Sequence, residues 1–208
     1  MNTKVNEDKI FEFEAFEEEN SVLMAAETSW RGMADELQEL HYLKGVQFVN
    51  QLKLIVCHGD FHRVEGETNI FSAIGEHSDD YTNLMDAARK AVSHSYRVYM
   101  LPNPKGIRTA DFIFERKGVY KMFDLKTITG KNSVGNRLKE SFGQTDRVLI
   151  NLKTDYNIRR LTLEIKRYFE ISDNVQEVLV YSGSKEISIK RNIANSKGFL
   201  KMMMNSLR

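Results

Sequence analysis

Three residues near the middle of this 208-residue chain have the types and spacing that phosphodiester chemistry needs. Asp111 stands thirteen positions before Asp124, and Asp124-Leu125-Lys126 reads as carboxylate, apolar, amine. Side chains two apart on a strand share a face, so a strand here makes Asp124 and Lys126 neighbours. A hairpin with the preceding apolar run brings Asp111 close to both. Two carboxylates on one side suit a hard divalent cation, Mg²⁺ or Mn²⁺, bound through oxygens with several waters retained. Such an ion lowers the pKa of a bound water, stabilises charge on a phosphate and orients the leaving group. Lys126 would hold the attacking water or neutralise charge on the phosphate. The reaction class is metal-assisted phosphodiester hydrolysis. The competing reading of Asp124 and Lys126 alone is an exposed ion pair that contributes little.

The elements that must position these residues follow from periodicity and turn chemistry. Apolar residues recur at threes and fours from Ser21 to Leu54, which predicts helix, while residues 57–77, rich in Gly, His and acid, read as a loop. Residues 79–93 fit a second helix with Leu84, Ala87, Ala88 and Ala91 on one face and Ser78 as its N-cap. Three β-like runs come next, at 96–101, 110–114 and 119–126, the last two joined by the hairpin-sized Arg116-Lys117-Gly118. A helix over 133–143, a strand over 147–152, a helix over 158–169 and strands over 177–181 and 187–190 complete the pattern. Strand–helix–strand steps require crossovers and hence parallel pairs. The expected fold class is α/β (α+β), a mixed central sheet flanked by helices. The chain divides into an acidic, mainly helical region over residues 1–75 and an α/β domain over 76–208.

Charge sharpens the division. Residues 1–92 carry 18 acidic and 8 basic side chains, and residues 93–208 carry 11 and 22, so a net charge of +1 conceals halves of −10 and +11. The basic half suits a polyanion, either nucleic acid or an acidic protein surface. A single cysteine, Cys57, excludes an internal disulfide and a multi-cysteine zinc site. No apolar run reaches the ~18 residues of a membrane span and the start is not signal-like, so the expected location is cytoplasmic. His58-Gly59-Asp60-Phe61-His62 has transition-metal ligand types but no fourth ligand.

Asp111, the thirteen-residue gap and Asp124-Leu125-Lys126 resemble the core of the PD-(D/E)XK nuclease superfamily, whose elements run α-β-β-β-α-β. A narrower resemblance is to the tRNase toxin domains of contact-dependent growth-inhibition proteins and related phage nucleases. It rests on Met100-Leu101-Pro102, Lys105-Gly106-Ile107-Arg108-Thr109-Ala110-Asp111-Phe112, Asp124-Leu125-Lys126, Gly130-Lys131-Asn132-Ser133 and Gln144-Thr145-Asp146. Ala110 stands where that pattern has proline, and Asp124 where glutamate is commoner. The resemblance implies a restriction-endonuclease-like core, Asp111 and Asp124 as metal ligands, Lys126 as catalytic amine, and an acidic residue on the first core helix. Asp80 is the choice for that last role, because it falls on the helix stripe of Leu84 and Ala87. It also implies RNA, with tRNA as the substrate class, and a cognate inhibitor or immunity protein as partner. Lys131 and Arg137 would contact phosphate oxygens, Asn132 follows in the same motif, and Gln144 would hydrogen-bond near the site. Further basic pairs, Arg159-Arg160, Lys166-Arg167 and Lys190-Arg191, interleave with Tyr156, Tyr168 and Phe169. The alternatives are a DNA endonuclease, and a non-catalytic nucleic-acid- or partner-binding protein that keeps the fold.

Overall fold

The computed structural model describes residues 33–73, 80–103, 109–130 and 133–207. The expected helix over 21–54 is interrupted within its described part. A helical stretch over residues 33–39 (α1) gives way to turns, and α2 (Gly45–Ile55) restarts at Gly45 with φ +56°. That left-handed conformation suits glycine and breaks a helix that apolar spacing alone would continue. The stretch read as a loop contains two short strands, β1 (His62–Arg63) and β2 (Ile70–Ser72). Then come α3 (Tyr81–Ser93), β3 (Arg97–Met100), β4 (Phe112–Arg116), β5 (Val119–Ile128) and α4 (Val134–Glu140). They are followed by β6 (Arg147–Leu152), α5 (Ile158–Ile171), β7 (Glu177–Ser182), β8 (Lys185–Lys190), α6 (Arg191–Ala194) and α7 (Phe199–Leu207).

The strands form one mixed sheet in the order β1-β2-β3-β4-β5-β6-β7-β8. β4 and β5 join through Lys117 (φ 54°) and Gly118 (φ 76°), two consecutive positive φ values that give a tight hairpin turn. The Glu115 side chain accepts the Gly118 N–H at 2.7 Å and closes it. β5-β6 and β6-β7 are parallel, with α4 and α5 as their crossovers. Asn157 caps α5 by accepting the Arg160 N–H at 3.1 Å, and Leu161, Ile165, Tyr168 and Phe169 form its buried face. β2 pairs parallel with β3, so residues 70–72 and 98–100 belong to the same sheet. None of the described helices is long and apolar enough to cross a membrane.

The helices divide unequally between the two faces. α3 lies on one, packing Leu84, Ala87, Ala88 and Ala91 against Val98, Met100, Phe112, Phe114, Phe123, Leu125, Leu149 and Leu179. The alanines let the helix approach the strands closely. Arg116 on β4 reaches Glu186 on β8 at 3.4 Å, although β5, β6 and β7 lie between them. Four strand spacings on a flat sheet would separate them by roughly 19 Å, so the sheet coils around α3. The other face carries two separate cores. Leu52 and Ile55 of α2 cover Tyr99, Ile113 and Met122, whereas α4, α5 and α7 cover Ile128, Val148, Ile150, Val178 and Val180.

Glu177, 3% exposed, anchors the α3 side of the sheet. It accepts from Lys121 at 2.8 Å and Ser188 at 2.6 Å, with Arg147 Nε at 3.6 Å. Removing one partner of a buried ionic cluster leaves the others desolvated without compensation. Glu177→Ala is therefore expected to lower unfolding free energy in urea by about 3 kcal/mol.

Candidate active site

The two acids are brought together by the β4–β5 hairpin. The β4–β5 hairpin pairs Phe112 with Phe123 and Ile113 with Met122. Just before the first of these pairs the Asp111 N–H also donates to Phe123 O at 3.0 Å, and its side chain reaches the Leu125 N–H, which brings the Asp111 carboxyl beside Asp124. Odd residues of β4 and even residues of β5 therefore share one face, and Lys126 follows two along. On the far side Val148 and Ile150 of β6 flank Asp124 and Lys126. The three groups lie where the α2 core ends and the α4–α5 core begins, on the face opposite α3.

Asp124 is 2% exposed, and Lys126 Nζ lies 2.9 Å from both of its oxygens. Asp111 is partly exposed, and its Oδ2 accepts the Leu125 N–H at 2.5 Å. Gln144 lies above Asp124. With its amide nitrogen toward the carboxylate it donates to both oxygens, at 3.0 Å for Oδ2. Burial, reinforced by repulsion from Asp124, pushes the Asp111 carboxyl up to about 7. Burial likewise raises Asp124, against the lowering influence of Lys126. Two carboxyl groups side by side are hard oxygen donors of the kind a divalent ion takes. Among the described residues no third His, Cys, Asp or Glu joins them. A six-coordinate ion would take its remaining ligands from water and phosphate.

The expected acidic partner on the first core helix is not brought to this pair. Asp80 is exposed at the start of α3, where it accepts from Asn83 Nδ2 at 2.6 Å. The sheet itself separates α3 from Asp124, because Phe123 and Leu125 point to α3 while Asp124 and Lys126 point away. It is Asp86 that packs onto the strands, accepting from Asn151 at 2.8 Å and Lys90 at 3.0 Å, with Lys153 at 3.7 Å. Although burial opposes it, these hydrogen bonds and charges hold Asp86 below the usual carboxylate range. This network also faces α3 and pins the helix to β6.

Of the expected phosphate contacts, Arg137 is half exposed on α4 and pairs with Glu140 at 3.0 Å. Lys131 and Asn132 lie outside the described residues. Gln144 joins the site. Tyr168 and Phe169 are core, and Arg191 is structural, donating to the carbonyls of Phe169 and Ser172 at 2.6 Å each. His58 contacts Asp60 at 3.0 Å without a metal-binding cluster forming among the described residues.

Two features escaped sequence reasoning. Glu140 adds negative potential at Asp124 from the last turn of α4. Ser141, fully buried, donates to Leu138 O at 2.7 Å and meets the Tyr168 hydroxyl at 2.8 Å. That contact ties the end of α4 to α5, and the turn beginning at Ser141 carries Gln144, whose N–H donates to Ser141 O at 3.2 Å. A buried serine two residues before a turn glycine (Gly143, φ 81°) has no pattern of its own in the sequence.

Comparison with known proteins places these residues in context. No curated protein matches the chain. One solved structure similar to it is the CdiA-CT/CdiI toxin and immunity complex from Burkholderia pseudomallei. The similarity has 17% identity and a TM-score of 0.42, over 56% of this chain and 92% of that one. Residues 108–187 match the family model of the contact-dependent growth inhibition CdiA C-terminal domain, a segment that includes Asp111, Asp124, Lys126 and Gln144.

Proposed function

We propose that this chain is a metal-dependent endonuclease that hydrolyses phosphodiester bonds of RNA, with tRNA as the substrate class, acting as a toxin-type nuclease. The observation that carries this reading is that the end of the β4–β5 hairpin and the Leu125 N–H hold the Asp111 carboxyl beside Asp124, with Lys126 next to them. The match of residues 108–187 to the CdiA C-terminal domain supports the toxin character, and with it an immunity protein as partner. The basic half of the sequence supports a polyanionic substrate.

Asp111 and Asp124 would hold Mg²⁺ or Mn²⁺. The ion supplies charge neutralisation at the scissile phosphate and a more acidic water. The chain's own groups do the positioning. The Leu125 N–H fixes one oxygen of Asp111, and the Gln144 amide and Lys126 fix Asp124. Once the carboxylates are engaged by a cation, the Lys126 ammonium is close enough to orient a water or to stabilise negative charge on the phosphate. The Ser141–Tyr168 contact holds the turn that bears Gln144, so loosening it would tilt Asp124.

Purified protein incubated with total tRNA is expected to cleave it in Mg²⁺ and not in EDTA. Asp124→Ala and Lys126→Ala should each reduce the rate by about 10²-fold or more. Cleavage that persists in EDTA and in both variants would refute the site, and mapped product ends would identify the scissile position.

Stability supplies a readout independent of activity. An unfolded aspartate releases its proton near pH 4, whereas folded Asp111 keeps it up to about 7. The folded state therefore binds more protons across that window, and stability falls as pH rises from about 4 to 7. Asp111→Asn removes this loss while its side-chain oxygen still accepts from Leu125. In metal-free buffer the variant should match the parent near pH 4 and exceed it by on the order of 2 kcal/mol at pH 8. Added Mg²⁺ should raise the urea midpoint of the parent and not that of the variant.

A further inference from the structure

The face that carries the metal pair continues toward the β1–β2 edge, where it changes character. Phe71 of β2 stacks on Tyr99 of β3, with centroids 5.3 Å apart and planes 20° from parallel. Phe61 meets Tyr99 edge-on at 5.4 Å. The guanidinium carbons of Arg63 and Arg97 each lie 6.0 Å from the Phe71 ring centre. Lys53 of α2 sits 6.0 Å from the ring of Tyr120. Register places these groups on one face. Arg63 is opposite Phe71, Phe71 opposite Tyr99 and Tyr99 opposite Ile113, which is two residues beyond Asp111 on the same side of β4. Phe71 is thus two strands across and two residues along from Asp111, roughly 12 Å away.

Both arginines are exposed, and among the described residues neither is in an ion pair. Arg89, Arg116 and Arg147, by contrast, each have a carboxylate within ion-pair distance. Two exposed guanidinium groups, Arg97 with Glu115 across from it on β4, beside a partly exposed aromatic ring combine phosphate donors with a stacking surface. Proteins that hold single strands use this combination.

We infer that Arg63, Arg97 and Phe71 form a docking platform for an unpaired stretch of the RNA substrate, the arginines on its phosphates and a base against Phe71. The inference deepens the nuclease reading, since it assigns a strand-holding site on the face that carries the metal pair. The platform requires single-stranded RNA, because bases within a duplex have no free ring face to offer.

The test is fluorescence anisotropy with the full chain in EDTA, using a labelled single-stranded RNA oligonucleotide over a range of salt concentrations. The variants are Arg63→Gln/Arg97→Gln and Phe71→Leu, with melting curves to show that each is folded. Losing two phosphate contacts should reduce the slope of log K against log salt by about 1.4. Phe71→Leu should weaken binding roughly tenfold with the slope unchanged. In Mg²⁺ the double variant should raise KM about tenfold with kcat within twofold. Unchanged affinity and slope in the folded double variant would overturn the platform. So would binding that depends on the arginines but not on Phe71, which denotes a phosphate patch alone. The parent cleaving RNA while the platform variants bind normally leaves the nuclease reading intact. Bound RNA that is never cleaved in Mg²⁺, yet responds to these substitutions as expected, refutes the nuclease reading and supports the platform.

Discussion

The Asp111 and Asp124 carboxyls are held side by side at the end of the β4–β5 ladder, and this proximity shapes the local chemistry. Neither acid is placed by a flexible loop: each is held by backbone hydrogen bonds that also close the hairpin. Two carboxylates at this spacing repel, and partial burial makes the repulsion harder to screen. Lys126, Gln144 and the Leu125 N–H are the structure's answer, each placing positive charge or a donor on an oxygen. A metal ion at the same oxygens would complete what these groups begin. The pair sits at the boundary between two cores, where the layer over β3–β5 ends and the one over β5–β7 begins.

The sheet accounts for the division of labour. Coiling around α3 buries one face almost entirely, so that face carries structural charge only: Glu177 with Lys121 and Arg147, and Asp86 with Asn151 and Lys90. The other face is covered by two separate helical layers, with the candidate site between them and an aromatic–arginine cluster toward the β1–β2 edge. Asp124, Lys126, Gln144, Phe71, Arg63 and Arg97 belong to this second face.

Much of this was legible in the sequence. The hairpin was readable because Lys117-Gly118 is turn chemistry between two β-like runs, and the D-x-K pair because period-two alternation places both side chains on one face. The α4, β6, α5 and β7 elements followed from contrasting periodicities. Three features were not legible, each for a physical reason. Gly45 breaks an apolar pattern that otherwise continues as helix, since one left-handed residue outweighs spacing. β1 and β2 total five residues and depend on β3 for pairing, too short for alternation to show. Asp80 shares a helix stripe with Leu84, but the stripe faces the wrong side of the sheet, and side is a tertiary property that helical periodicity does not encode.

The two-residue hairpin turn also bears on how quickly the site can arise. A link this short closes with little loss of chain entropy, and hairpins zip on the order of 1–10 μs. The parallel pairs β5–β6 and β6–β7 must wait for their crossovers to collapse, which is slower because more distant segments have to meet. The acid pair is therefore encoded in the most local contact of the sheet. A molecule unravelled and then released to refold recovers its two carboxylates early, ahead of the long-range assembly around them.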